Sequence, residues 1–231
     1  MTIIHLIGGE KGGVGKSMVA RLVAQYMIDH AVPFLGFDSD RSHGALMRFY
    51  KGYASPIVID RSDGFDAIVE AAVEVPERRI LVDLAAQTHA RLAEWIDECG
   101  LLDADAGLGV SLCYWHVMDA GKDGTDLLKA LFDRFEGRLN YVIVLNQLRG
   151  EDFAVLDRSG ERERALALGA KFVTLRRLHE GVANKIDAQS TSFWAATRSD
   201  AQDGGTLGLL ERQRVRVWLK HAYEQIGRLP L

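Results

Sequence analysis

Gly9-Glu10-Lys11-Gly12-Gly13-Val14-Gly15-Lys16-Ser17 closes with the G-K-[ST] of the pattern G-x-x-x-x-G-K-[ST], with Glu10 at the place of the pattern's first glycine and Gly9 just before it, and it stands at the junction of two differently patterned segments. Before it, Ile3 to Ile7 is a short apolar run suited to a buried strand. After it, Val19, Leu22, Val23, Tyr26 and Met27 recur at helical spacing, which predicts a helix over about Ser17 to His30. Glycines between a strand and a helix let successive backbone N–H groups converge on phosphate oxygens. The helix that follows presents its partly positive N-terminus to the same place. Lys16 then has the reach and charge to bridge terminal phosphates, and the Ser17 hydroxyl suits a Mg²⁺ ligand.

Working outward, the pattern of strand then helix repeats. Strands are expected at Pro33 to Asp38, Ile57 to Ile59, Ile80 to Leu84, Leu108 to Val117, Tyr141 to Leu145 and Phe172 to Leu175. One intervening helix carries Phe65, Ile68, Val69, Ala72 and Val73 on a face, and another carries Leu92, Trp95 and Ile96. Further helices are expected near Asp123 to Phe135, Glu161 to Leu168 and Gly208 to Gln225. Strands alternating with helices of ten to fifteen residues indicate an α/β chain with a mostly parallel sheet flanked by helices. There is no internal repeat or Pro/Ser-rich linker, so residues 1–231 read as a single domain; the stretch from Ala188 to Thr206, with Gly204-Gly205, is the least organised.

Composition narrows the classes. The 231 residues carry 28 Lys+Arg against 32 Asp+Glu, a net charge of −4, which argues against a uniformly basic nucleic-acid coat and leaves room for a local basic patch. An apolar content of 48% excludes intrinsic disorder. The two cysteines, Cys99 and Cys113, have neither disulfide-scaffold nor zinc spacing, and both are expected to be buried thiols. Met1 to Gly8 lacks a basic n-region, and no segment approaches the roughly 20 apolar residues that span a bilayer. A cytoplasmic location is expected.

Lys11 inside the glycine loop adds information. Lys11-Gly12-Gly13-Val14-Gly15-Lys16-Ser17 resembles the deviant Walker A motif of the MinD/ParA family of P-loop ATPases. The resemblance implies ATP and Mg²⁺ as cofactors, with Gly12, Gly13, Val14, Gly15, Lys16, Ser17 and Met18 around the nucleotide. It also implies an ATP-dependent homodimer in which Lys11 reaches the partner's nucleotide. Asp38-Ser39-Asp40 looks like the family's switch I Asp-x-Asp. By that likeness Asp40 would orient the attacking water and Asp38 would lie near the Mg²⁺ shell. Turn formation at a strand end is the competing reading of the same residues. Ile80-Leu81-Val82-Asp83 resembles a Walker B strand, with Asp83 holding Mg²⁺ through water, or else capping a helix. Asn146 stands where related ATPases recognise the base, and it also suits a simple turn. A guanine-reading N-K-x-D would need Asp at position 149; this chain has Arg149, which favours ATP.

The chain departs from partition ATPases in places. Arg41-Ser42 follows Asp40 in place of Pro-Gln, and the second switch reads Leu84-Ala85-Ala86-Gln87, without Pro or Gly. The stretch Asp83 to Gln87, and the long excursion after Asn146, look closer to MinD/ParA-like proteins of plasmid mobilisation and conjugation. The expected function is an ATP-binding and hydrolysing switch that dimerises on ATP and positions a cargo of unknown identity, such as DNA or a cell-pole, secretion or polysaccharide machine. Lys11, Lys16 and Asp40 form its catalytic set, and Ser17, Asp38 and Asp83 its metal set. An ATP-dependent ligase or kinase of the same fold, and a non-hydrolysing ATP-binding module, are the alternatives. The last helix has Val215, Leu219, Ala222, Tyr223 and Ile226 on one face, which suits docking onto the core better than membrane binding. Arg212, Arg214, Arg216 and Lys220, with Arg176-Arg177, are the basic residues available for non-specific DNA contact.

Overall fold

A computed structural model describes residues 2–9, 11–41, 44–60, 62–103, 107–198 and 207–231. Glu10, Ser42 and Gly204-Gly205 lie outside the described residues. Seven strands form one parallel sheet: β1 (Thr2–Gly8), β2 (Phe34–Asp38), β3 (Ala54–Pro56), β4 (Arg79–Asp83), β5 (Val110–Met118), β6 (Asn140–Asn146) and β7 (Lys171–Leu175). Their order is β3-β2-β4-β1-β5-β6-β7, every pairing parallel. The described helices are α1 (Lys16–Asp29), α2 (Ala45–Phe49), α3 (Ser62–Glu74), α4 (His89–Glu98), α5 (Lys122–Phe135), α6 (Ala154–Ser159), α7 (Glu161–Ala167), α8 (Glu180–Gln189), α9 (Phe193–Ala196) and α10 (Leu209–Ile226).

The central strands are apolar on both faces because helices cover both. Along β5, Leu112 and Tyr114 face one core while Cys113, Trp115 and Val117 face the other. The first core is closed by Phe65 and Ile68 of α3, Leu92 and Trp95 of α4, and Phe132 of α5. The second is closed by Val19 and Val23 of α1, Phe49 of α2, Val182 of α8, Phe193 of α9 and Trp218 of α10. Period-two side-chain alternation sends each strand's apolar residues to both layers, so no polar face remains to mark the sheet in the sequence. The face of α10 does dock, burying Val215, Trp218, Leu219, Ala222 and Ile226.

Four expectations need correction. The third strand is Ala54–Pro56, pairing with β2 through Gly36↔Ala54; Ile57 and Ile59 are buried side chains in the connection beyond it. Burial rather than sheet pairing explains that apolar run. Cys99 is exposed at the end of α4, whereas Cys113 is buried in β5. The stretch from Ala188 contains α9, where the side chain of Ser192 accepts from the Ala195 amide as a cap and Phe193 is fully buried. Val73 of α3 is half-exposed, although it shares the helical spacing of its buried neighbours.

Parallel pairing sends all seven strand ends in one direction. β1 is central, flanked by β4 and β5, so the loops after β1, β2, β4 and β6 meet at the carboxyl edge of the sheet. Ligands of open α/β sheets bind at this edge.

Candidate functional site

The loop after β1 is shaped by backbone positions closed to ordinary residues. Gly15 has φ +99°, and a Cβ there would lie 2.3 Å from Asn146 Nδ2. Gly9 has φ +150°, and its Cβ would lie 2.6 Å from the Val117 carbonyl. Helix α1 starts directly after Gly15, and no side chain caps it. Its first N–H groups therefore remain for an anion. Lys16 is buried at the helix start, with Nζ 3.1 Å from the Lys11 carbonyl oxygen, so the lysine folds back across the loop.

Beside this loop lies a cavity of about 870 Å³. Gly12, Gly13, Gly15, Lys16, Ser17 and Met18 form one wall, Asp40 and Leu84 to Ala86 a second, and Leu148, Arg177 and Leu178 a third. It continues past Arg21, Arg48 and Phe49 to Asn184 and Asp187 of α8. The expected loop residues thus line one space, except Val14, whose side chain is buried in the core.

The acidic residues divide into distinct roles. Asp38 and Asp83 are register partners at the ends of β2 and β4. Asp38 accepts hydrogen bonds from the Asp40 amide (3.0 Å) and the Met47 amide (3.1 Å), so it shapes the turn and holds the start of α2. Its oxygens here make the bonds of the turn reading, and its charge stands beside Asp83. Asp83 is 1% exposed, and among the described residues neither carboxyl oxygen has a hydrogen-bond partner of full geometry. The Ser17 hydroxyl nonetheless sits close enough to pull its pKa down. Burial, then the Asp38 charge, push it up to about 7 against the pull of Ser17 and Lys16. Asp83 caps no helix; α4 starts after Thr88. Asp40 lines the cavity directly.

An orphaned buried carboxylate beside a hydroxyl and a phosphate cradle fits a divalent cation. Among the described residues no group of three or more His, Cys, Asp or Glu is arranged to hold a metal. A cation at Ser17 and Asp83 would therefore take most of its ligands from phosphate and water, as Mg²⁺ commonly does.

Asn146 is buried and braces the loop: Nδ2 donates to the Val14 carbonyl (2.7 Å), and its oxygen accepts from the Leu148 amide (3.2 Å). An amide has a second N–H and a second lone pair, so bracing leaves capacity for a base edge. Lys11 turns away from the cavity, its Nζ 3.2 Å from Asp123 and 3.6 Å from Asp119. Asp119 was not apparent in the sequence. It lies at the end of β5, its side chain 5% exposed, and also pairs with Arg149 at 3.3 Å. Only strand packing brings residues 11, 119 and 149 together, so no local pattern announces them. Arg21 was likewise missed. Its guanidinium lies 3.4 Å from the Phe49 ring centroid and 4.9 Å from that of Phe193, with Nη1 2.8 Å from Asp187. Two cations of α10 have structural duties: Arg212 donates to the Leu207 carbonyl and Arg216 to that of Thr197, each at 2.6 Å.

The solved structure of the MinD cell division protein of Aquifex aeolicus superposes with a TM-score of 0.55 over 100% of this chain and 98% of that one, at 12% identity. The chain has the MinD fold. Among curated proteins it is similar to protein MobD of Acidithiobacillus ferrooxidans, 26% identical over 199 residues, 84% of this chain and 86% of MobD. It is also similar to protein TraL of Escherichia coli, 26% identical over 162 residues, 65% of each chain. No protein-family model matches. No described helix of this MinD-like chain is long and apolar enough to cross a membrane.

Proposed function

We propose that this MinD-like chain binds ATP with Mg²⁺, hydrolyses it slowly, and uses the bound state to pair two copies and recruit a cargo. The observation that carries the reading is the orphaned carboxylate of Asp83, buried behind Ser17 where an uncapped helix and glycine loop open on the cavity. Loop amides and Lys16 bind the phosphates. Ser17 and Asp83 hold Mg²⁺, which when bound neutralises charge on the phosphates. Asp40, on the facing wall, orients water for in-line attack. Arg149 at the guanine-reading position favours adenine, with Asn146 offering its remaining donor and acceptor to the base edge.

Lys11 completes the partner's site in this proposal. To do so it must leave Asp119 and Asp123, and Asp119 then retains Arg149 as counter-ion. The similarity to MobD and TraL supports a mobilisation or conjugation setting for the cargo. Arg214, Lys220 and Arg176 are the cations proposed for weak contact with a DNA backbone, and a membrane platform is the less favoured alternative.

Light scattering tests the pairing. With Mg²⁺ and a non-hydrolysable ATP analogue, the 25.6 kDa chain is expected to double in mass, and Lys11→Ala to stay monomeric while still binding the analogue. Wild-type protein that binds the analogue and stays monomeric would sink the pairing. The cavity's extension to Arg48 and Asn184 supports a second reading, an ATP-dependent ligase or kinase. Phosphate release that requires an added small-molecule acceptor would select it.

A further inference from the structure

We propose that Ser39 ties the two switch segments together, so that the position of Asp40 sets the conformation of residues 84–88; the coupling to nucleotide rests on the function proposed above. In the sequence Ser39 is only the spacer of Asp38-Ser39-Asp40. In the fold it is buried and every polar atom of it that can reach the neighbouring strand end does so. Its N–H and its hydroxyl both donate to the Asp83 carbonyl, each at 3.0 Å, and the hydroxyl oxygen accepts from the Ala85 amide at 2.8 Å. One hydroxyl therefore joins the end of β2 to the first residues beyond β4.

That junction matters because, among the described residues, few other bonds hold the second segment. The amide of Leu84 still reaches the Ile7 carbonyl of β1, at 3.1 Å. Beyond Leu84 the segment leaves the sheet. Thr88 closes it from the other side, its hydroxyl donating to the Ala85 carbonyl at 3.0 Å, and Gln87 takes a left-handed φ of +63°. A glycine would adopt that angle freely; a glutamine adopts it only when its surroundings impose it. Residues 85–88 are thus a compact strained turn pinned at Ala85 by Ser39 and at Thr88 by α4. Asp40, one peptide bond from Ser39, lines the cavity on the same wall as Ala85 and Ala86. Any shift of Asp40 toward or away from a terminal phosphate is carried to Ala85 through that hydroxyl. Ser39 touches no reacting atom in this scheme; it is a positioning residue.

Hydrogen exchange on the full chain tests this. Without nucleotide, wild type should protect the 84–88 amides, and Ser39→Ala should exchange them at least tenfold faster, with Ser39→Thr restoring protection. With Mg²⁺ and either an ATP analogue or ADP, wild type should show different exchange at 84–88 in the two states. Ser39→Ala should lose that difference while its affinity for a fluorescent ATP analogue stays within threefold and kcat for phosphate release falls at least tenfold at unchanged KM. The coupling is overturned if Ser39→Ala keeps the ATP-against-ADP difference, or if binding and turnover fall only in step with the folded fraction. Free exchange at 84–88 in unliganded wild type overturns it too, even where the alanine variant does not fold. If wild type binds no nucleotide, the proposed function fails, and the unliganded comparison still decides whether Ser39 holds the turn.

Discussion

Asp83 is the residue whose chemistry depends most on its surroundings. Its pKa, raised to about 7 by burial and by Asp38, compares with an ordinary carboxylate near 4. The folded state therefore holds a proton that the unfolded state releases, and the contribution of Asp83 to unliganded stability is greatest below about pH 4. It declines as pH rises through the window from about 4 to about 7, then levels off. The metal binding proposed for Asp83 would have the opposite slope, because the cation needs the ionised carboxylate. Affinity for the Mg²⁺–nucleotide is expected to weaken as pH falls below about 7, approaching tenfold per unit, as read by titration calorimetry at fixed ionic strength. Asp83→Asn should flatten the carboxylate's share of the stability profile and weaken Mg²⁺-dependent nucleotide binding by at least tenfold. A variant with wild-type Mg²⁺ dependence would remove Asp83 from the metal site. Asp83 and Asp40 were legible as single residues at strand ends. Asp119 and its ion pair with Arg149 were not, because pairs between the ends of separate strands leave no spacing to read.

At the scale of elements, the glycine loop and its helix stand or fall with Gly15. An alanine there meets both φ +99° and Asn146 at 2.3 Å. Gly15→Ala is expected to cost about 1–3 kcal/mol in denaturant unfolding and to abolish nucleotide binding. Adding Asn146→Ala relieves the clash but not the backbone angle, so binding should not return. Between α1, α2 and α9, Arg21 is a cation buried for its flat apolar faces. Its Nε and Nη2 lack partners, and Asp187 is itself half-exposed. Arg21→Met should change stability by less than about 1.5 kcal/mol, since water takes over Asp187. Arg21→Ala should cost about 2–4 kcal/mol by opening a cavity between Phe49 and Phe193. Equal losses in chemical denaturation would contradict this account. The long periodic elements β1, α1, β6 and α5 were readable because tertiary packing only reinforced their local patterns. The short helices α2, α8 and α9 were not. Few turns give little periodicity, and their stability comes from contacts such as Asp38 on the Met47 amide and Phe193 against Trp218.

The whole molecule is one parallel sheet with helices on both faces and a cavity at its carboxyl edge. At a net charge of −4, any DNA contact has to be made by a local group of cations. Arg212 and Arg216 are bound to backbone carbonyls, so Arg214, Lys220 and Arg176 remain for it. If DNA binds, replacing Arg214 and Lys220 together should lower the salt slope of binding by about two, measured from 50 to 200 mM salt. An unchanged slope would place the contact elsewhere.

By itself, the chain's order of residues determined the class of fold and the glycine loop between the first strand and the first helix. Alternating strand and helix patterns admit few topologies, and a glycine loop between them has a narrow chemical purpose. Only the tertiary structure decided which distant residues share the site. Strand order carries Asp38 beside Asp83, Asn146 over Gly15 and Ser39 onto Ala85, and those neighbours arise from sheet pairing between segments dozens of residues apart. It also decided that Lys11 rests on Asp119 and Asp123, since a flexible lysine takes its position from whichever carboxylates the fold brings within reach.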